Sequence, residues 1–162
     1  CGVISDTHLF ESSGPETFKS LIELLEKGAS YRKCLEAVQK PPSLEEQKDL
    51  LQGLKKAGVR ECNGYLYALS TTFQHQLHCA ALLVKAGCAY AAVTGKGRMS
   101  IAKRADAPGK AADLCEKLGE ALKGEGGGHE LVGGVSFAKG KEAAALKQAR
   151  KQIMLLLSND NL

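Results

Sequence analysis

Cys88-Ala89-Tyr90-Ala91-Ala92-Val93, then Thr94-Gly95-Lys96-Gly97, then Met99-Ser100-Ile101-Ala102, is the stretch whose reading decides the fold. The first six residues carry no charge, as a strand covered on both faces requires. Gly95-Lys96-Gly97 gives the backbone the freedom for a turn, and the chain returns as a second strand, making a β-hairpin. Outward from it, residues 65–70 (Tyr-Leu-Tyr-Ala-Leu-Ser) read as a strand. Thr72 is placed to cap a helix holding Phe73, Leu77, Ala80, Ala81 and Val84, which Gly87 closes. On the other side Ala111, Cys115, Leu118 and Leu122 recur at helical spacing up to Gly124. Residues 135–138 read as a strand, and Leu146, Ala149, Ile153 and Leu157 mark a last helix. This order predicts an α/β layered domain with a mixed sheet over residues 59–162.

The chain before it reads differently. Residues 1–5 form a short apolar strand, and the chain starts there without a Met, so further residues are expected before Cys1. Ser13 and Glu16 have the spacing of a capping box, Pro15 suits an early helical position, and Phe18, Leu21, Ile22 and Leu25 form a stripe that Gly28 ends. Ser30 starts a second helix with Tyr31, Cys34, Leu35 and Val38 on one face. Lys40-Pro41-Pro42-Ser43 interrupts the pattern, and a helix with Leu50, Leu51 and Leu54 then runs to Gly58. The expected organisation is the tail of a second α/β domain over residues 1–40, a helical linker over 41–58, and the main domain.

The 162 residues are 44% hydrophobic and 25% charged, which excludes a disordered chain. A net charge of +4 is compatible with anionic ligands but is far from that of a nucleic-acid coat. The six cysteines include no Cys-x-x-Cys pair, which argues against zinc and for free thiols in a reducing cytoplasm. No apolar run is long enough to cross a bilayer, so no membrane is expected as a partner.

Glu125-Gly126-Gly127-Gly128-His129 is the sharpest candidate for chemistry. Three consecutive glycines are costly to order, since glycine loses the most backbone entropy on folding. They let backbone N–H groups converge on an anion, and an imidazole beside them can add a hydrogen bond or a charge. A plain flexible turn is the other reading.

Gly126-Gly127-Gly128-His129, with Gly133-Gly134 beginning four residues after the histidine, resembles the glycine-histidine signature of the DHH-associated domain of DHH-family phosphoesterases (RecJ-type exonucleases and nanoRNases). A related form of that domain occurs in alanyl-tRNA synthetases. The resemblance implies that Gly126, Gly127, Gly128 and His129 contact the phosphate or terminal nucleotide of a nucleotide or short single-stranded nucleic acid. Glu125, Leu131 and Val132 depart from the family pattern. Gly2-Val3-Ile4-Ser5-Asp6-Thr7 looks like the last catalytic motif of the DHH domain, which makes Asp6 a ligand of a manganese pair. His8 receives no metal role.

The remaining ligands of such a site, an Asp-His-His and an Asp-x-Asp, are missing, so the chain alone is expected to bind and not to hydrolyse. The family arginine falls on Arg104 if Ala102 and Ala105 are matched to its small neighbours, with Lys103 as a substitute. Matching Ser100 instead puts Ala102 at the arginine's position. The alternative function is an RNA-binding module of the alanyl-tRNA synthetase type without hydrolase activity, and a homodimer is compatible with the sequence. His75 and His78 share a helix face without a third metal ligand in sequence. Lys141, Lys147, Arg150 and Lys151 give the last helix a basic, solubilising face.

Overall fold

The computed structural model describes residues 13–38 and 42–158. They fall into two compact units divided between Ser43 and Leu44. The first holds α1 (Pro15–Glu26) and α2 (Tyr31–Val38). Gly14 is the N-cap of α1 and Pro15 follows it, so Ser13 lies one position too early for the expected capping box. At α2 the Ser30 hydroxyl accepts the Lys33 N–H at 3.3 Å, as a capping serine does. The strand expected at residues 1–5 lies outside the described residues.

The second unit contains α3 (Leu44–Lys55), β1 (Gly58–Cys62), β2 (Tyr65–Thr71), α4 (Gln76–Lys85), β3 (Tyr90–Gly95), β4 (Arg98–Lys103), α5 (Ala111–Leu122), β5 (Glu125–Gly128), β6 (Val132–Ser136) and α6 (Glu142–Ser158). The six strands form one mixed sheet in the order β1-β2-β3-β4-β6-β5. Among the described residues the only parallel pair is β2–β3, which α4 connects; all other neighbours run antiparallel. The fold class is therefore the α/β one that the order of elements predicted.

Alternation along the strands sorts side chains to two faces. Tyr67, Tyr90, Ala92, Met99, Ile101 and Val135 share one face, and α5 and α6 cover it with Leu114, Leu118, Ile153 and Leu157. Ala68, Ala91, Val93 and Ala102 face the other way, against Cys79, Ala80 and Leu83 of α4. Leu50 of α3 is buried in that same cluster. Of the stretch read as a linker, α3 thus lies with the second unit and adds to its core.

Two elements escaped the sequence reading. Val59-Arg60-Glu61-Cys62 is almost wholly exposed and shows no apolar alternation, yet it pairs with β2. Asn63 and Gly64 between them both have positive φ, 50° and 77°, the geometry of a two-residue hairpin turn. The other is β5, built from the glycine run itself.

The start of α4 also differs. Thr72 was expected to cap a helix containing Phe73; the helix instead begins at Gln76, and the Thr72 N–H donates to the Thr94 carbonyl at 3.0 Å. No side chain caps α4; the turn that leads into it is held instead by Asp49 of α3, whose carboxylate accepts the N–H groups of Phe73, Gln74 and His75 at 2.7, 2.9 and 3.0 Å. Burial pushes the Asp49 carboxyl up, but the three donors and the neighbouring His75 outweigh it and hold its pKa below the ordinary value. A depressed carboxylate stabilises the fold above its unfolded pKa and loses that contribution as pH falls through the folded value. Asp49→Ala should therefore lose about 1–2 kcal/mol in urea unfolding at neutral pH. The gap to the wild type should narrow below about pH 4, and a gap that stays constant to about pH 2.5 would contradict a charged carboxylate in this turn.

Candidate functional site

The register across β4, β6 and β5 aligns residues into rows. Arg98 stands beside Ser136, which stands beside Glu125; Ser100 stands beside Gly134, which stands beside Gly127. All six belong, by alternation, to the face on which Ala91, Val93 and Ala102 meet α4. The His129 N–H donates to the Val132 carbonyl at 2.7 Å, continuing the β5–β6 pairing and keeping His129 in step with Gly127.

The two sides of the glycine strand differ sharply. A β-carbon on Gly126 would overlap the Cys115 carbonyl of α5, and one on Gly133 would come 2.6 Å from the Cys115 sulfur. These glycines exist so that α5 can lie close against β5 and β6. Gly127 has the opposite surroundings: a β-carbon there would meet nothing within 4 Å, and one on Gly134 would meet only the Met99 carbonyl at 3.8 Å. No packing demand explains the missing side chains of this row. Their absence leaves a shallow trough of about 540 Å³ floored by backbone and lined also by Arg98, Glu125, Ser100 and Gln76.

The glycine run is therefore a strand at the sheet edge and not a loop. β5 has a neighbour on one side only, so alternate N–H groups along its outer edge have no strand to pair with. The trough combines small hydroxyl side chains, exposed backbone and one guanidinium. Among the described residues Arg98 takes no ion-pair partner, which leaves its charge available to an anion. The Glu125 carboxylate in the same row opposes that anion and tempers the attraction.

Neither Arg104 nor Lys103, the two residues matched to the family arginine, lines this trough, and His129 is not among its lining residues. Arg104 follows β4; its guanidinium binds the Asp106 carboxylate at 2.5 and 2.9 Å and the Gly87 carbonyl at 2.9 Å. The Asp106 hydrogen bonds hold Arg104 above its ordinary pKa, and the Arg104 bonds hold Asp106 below its own. Lys103 is buried on the opposite face of β4, its amino group 3.5 Å from the Ala105 carbonyl. Arg98 is the cation that sequence reasoning passed over. Its signal was the two-residue alternation Arg98, Ser100, Ala102 along one strand.

Asp6 and His8 lie outside the described residues. His78 Nδ1 is 3.0 Å from Glu46 Oε1, and His75 Nδ1 is 3.6 Å from the same oxygen. Among the described residues no group of three His, Cys, Asp or Glu is placed to hold a metal ion. Lys147, Arg150 and Lys151 occupy the side of α6 opposite its buried stripe of Ala145, Ala149, Ile153 and Leu157, and Lys141 precedes the helix.

No family model matches the chain. An uncharacterized protein of Methanocaldococcus jannaschii is 26% identical over 163 residues, which cover 96% of this chain and 49% of that protein. The chain thus spans about half the length of the curated relative it matches. Among solved structures, an exopolyphosphatase-related protein from Bacteroides fragilis superposes with a TM-score of 0.69 at 17% identity, over 95% of this chain and 48% of its own. The DHH domain of a member of a ribosomal-protein family gives 0.53 at 15% identity, over 70% and 31%. This is a fold of DHH-domain proteins. RecJ from Thermus thermophilus in complex with Mn2+ also has it, with a TM-score of 0.50 at 15% identity over 90% of this chain and 20% of RecJ. At such identities the likeness to DHH-domain proteins is one of fold alone.

The contrast between neighbouring glycines can be measured. Gly126→Ala should lower stability by about 1–3 kcal/mol or more, because Cys115 and α5 must move. Gly127→Ala should stay within about 0.5 kcal/mol of the wild type. Equal losses in thermal unfolding would mean that the trough face is packed rather than open.

Proposed function

We propose that this chain is the substrate-binding part of a metal-dependent phosphoesterase of the DHH family, acting on a nucleotide or the end of a single-stranded nucleic acid. The observation that carries the proposal is the glycine-floored trough, open on the one sheet face where packing does not require glycine, with the unpaired Arg98 at its side. In this reading residues 1–40 end a catalytic domain, and the substrate-binding domain covers residues 59–162 with α3 packed onto it. The shared fold with an exopolyphosphatase-related protein and with RecJ supports it, as does a curated relative twice as long.

A phosphoryl group over Gly127 and Gly134 can approach the backbone without meeting a side chain. Arg98 supplies charge, the Ser100 hydroxyl can donate a hydrogen bond, and His129, held just beyond β5 by its N–H bond to the Val132 carbonyl, is the candidate for a further contact. Manganese, which the resemblance implies, finds no set of three ligands among the described residues, and Asp6 lies outside them. The part assigned to this chain is to bind and orient the phosphoryl group.

Titration of a 5′-phosphorylated short RNA at two salt concentrations tests this. Binding should weaken with salt, by a log–log slope of about −0.7 for each phosphate neutralised on a single strand. Arg98→Ala should cost about tenfold in affinity. Gly127→Val should cost more, since a branched side chain fills the floor, and His129→Ala should cost less; circular dichroism checks that each variant folds. Equal binding by the wild type and all folded variants would place the site elsewhere, with the basic face of α6 the next candidate.

A further inference from the structure

Along the strands the trough continues in one direction only. Beyond Ser100, Gly134 and Gly127 the next row holds Ala102 and Val132; Ala102 is buried, and Val132 packs against the cluster beneath α4. In the other direction stands the row of Arg98, Ser136 and Glu125. Successive residues on one face of a strand are about 7 Å apart, and residues two strands apart in a row about 10 Å. Glu125 is thus near the bare glycine Gly127, and Arg98 faces it across the row. Arg98 is the one cation among the lining residues and Glu125 the one anion. Among the described residues they form no ion pair, with each other or with another side chain.

We infer that Glu125 is a specificity-determining residue, which admits a monophosphate end to the trough and disfavours a di- or triphosphate end; this rests on the trough binding a phosphoryl group. A terminal phosphoryl group carries a charge of about −1.5 to −2 at neutral pH, already more than one guanidinium neutralises. The next negative charge finds no second cation and meets the Glu125 carboxylate. A second phosphoryl group joined through one bridging oxygen stays in the trough with the first. It remains within reach of Glu125, since the Debye length is about 10 Å at 0.1 M salt. The next phosphate of a nucleic-acid strand is a whole sugar away and can lie outside so shallow a trough. Glu125 therefore responds to the number of phosphates at an end, and not to the length of the strand behind it. As the one side chain of β5, in an otherwise all-glycine strand, it carries that selection alone on its side of the row.

The test titrates the 162-residue chain with one short RNA bearing either a 5′-monophosphate or a 5′-diphosphate. A site that attracts anions by charge alone binds the diphosphate more tightly. Here the wild type should bind the monophosphate at least about threefold more tightly, with the preference shrinking as salt rises. Glu125→Gln keeps the shape of an exposed side chain and removes its charge. It should tighten the diphosphate about fivefold and the monophosphate less, so that the preference is lost or reversed. A wild type that favours the diphosphate overturns the inference, as does equal tightening of both ends by Glu125→Gln. If Arg98→Ala weakens both ends while Glu125→Gln leaves their ratio unchanged, the trough stands and only the role of Glu125 falls. If Arg98→Ala weakens neither, the trough itself is wrong and the inference falls with it.

Discussion

Helix α5 and strand β5 touch backbone to backbone. The Cys115 carbonyl occupies the space that a side chain at Gly126 would need, and a β-carbon on Gly119 of α5 would come 2.5 Å from the Gly126 nitrogen. Much else in the second unit follows from this contact. It holds an edge strand whose only side chain is that of Glu125 against the sheet, where its three glycines alone would leave it weak. It sets the height at which α5 crosses β6, so that Leu114 and Leu118 reach the layer of Met99, Ile101 and Val135. By fixing β5 from one side, it lets the other side stay bare.

Small side chains make up much of the core. Ala68, Ala80, Ala91, Ala92, Ala102, Ala111, Ala145 and Ala149 are all buried, and Tyr67 and Tyr90 are the largest residues among them. Small residues allow helices and sheet to approach closely, and cysteines fill the gaps that remain. Burial pushes the Cys79 thiol up to about 11 and the Cys115 thiol up to about 12, so both behave as apolar filler rather than as nucleophiles. The Tyr90 hydroxyl, pushed up to about 12 by burial, stays protonated and donates to the Pro108 carbonyl at 2.6 Å.

How much of this the sequence disclosed depends on where each element's stability originates. The β3–β4 hairpin and helices α5 and α6 carry their own periodicity, and were readable because their buried faces are written in consecutive residues. Strand β1 was not, since its side chains are exposed and its pairing with β2 is announced only by Asn63-Gly64. Strand β5 could not be read as a strand, because glycine has no preference for one and pairing and α5 impose it. Thr72 has the right chemistry for a cap, but the helix starts four residues later and a carboxylate twenty-four residues from Phe73 holds the intervening turn. At the candidate site the glycines were legible as unusual. What remained hidden was which of them serve packing and which serve space, a division that only the alternation of faces reveals. The same alternation separates Arg98 from Lys103.

The three N–H groups held by Asp49, together with the Ser70 hydroxyl bonded to the Gly53 carbonyl at 2.5 Å, make α3 a structural partner of β2 and α4. The smallest piece able to fold as the second unit therefore begins near Leu44. Cutting at residue 59 would leave the turn before α4 without the carboxylate that holds it, uncover the cluster around Cys79 and leave a buried hydroxyl without its acceptor. Evolution faces the same limit: any rearrangement that transfers this domain to a new partner must carry α3 with it, so the join between old and new has to fall on the proline-rich side of the helix.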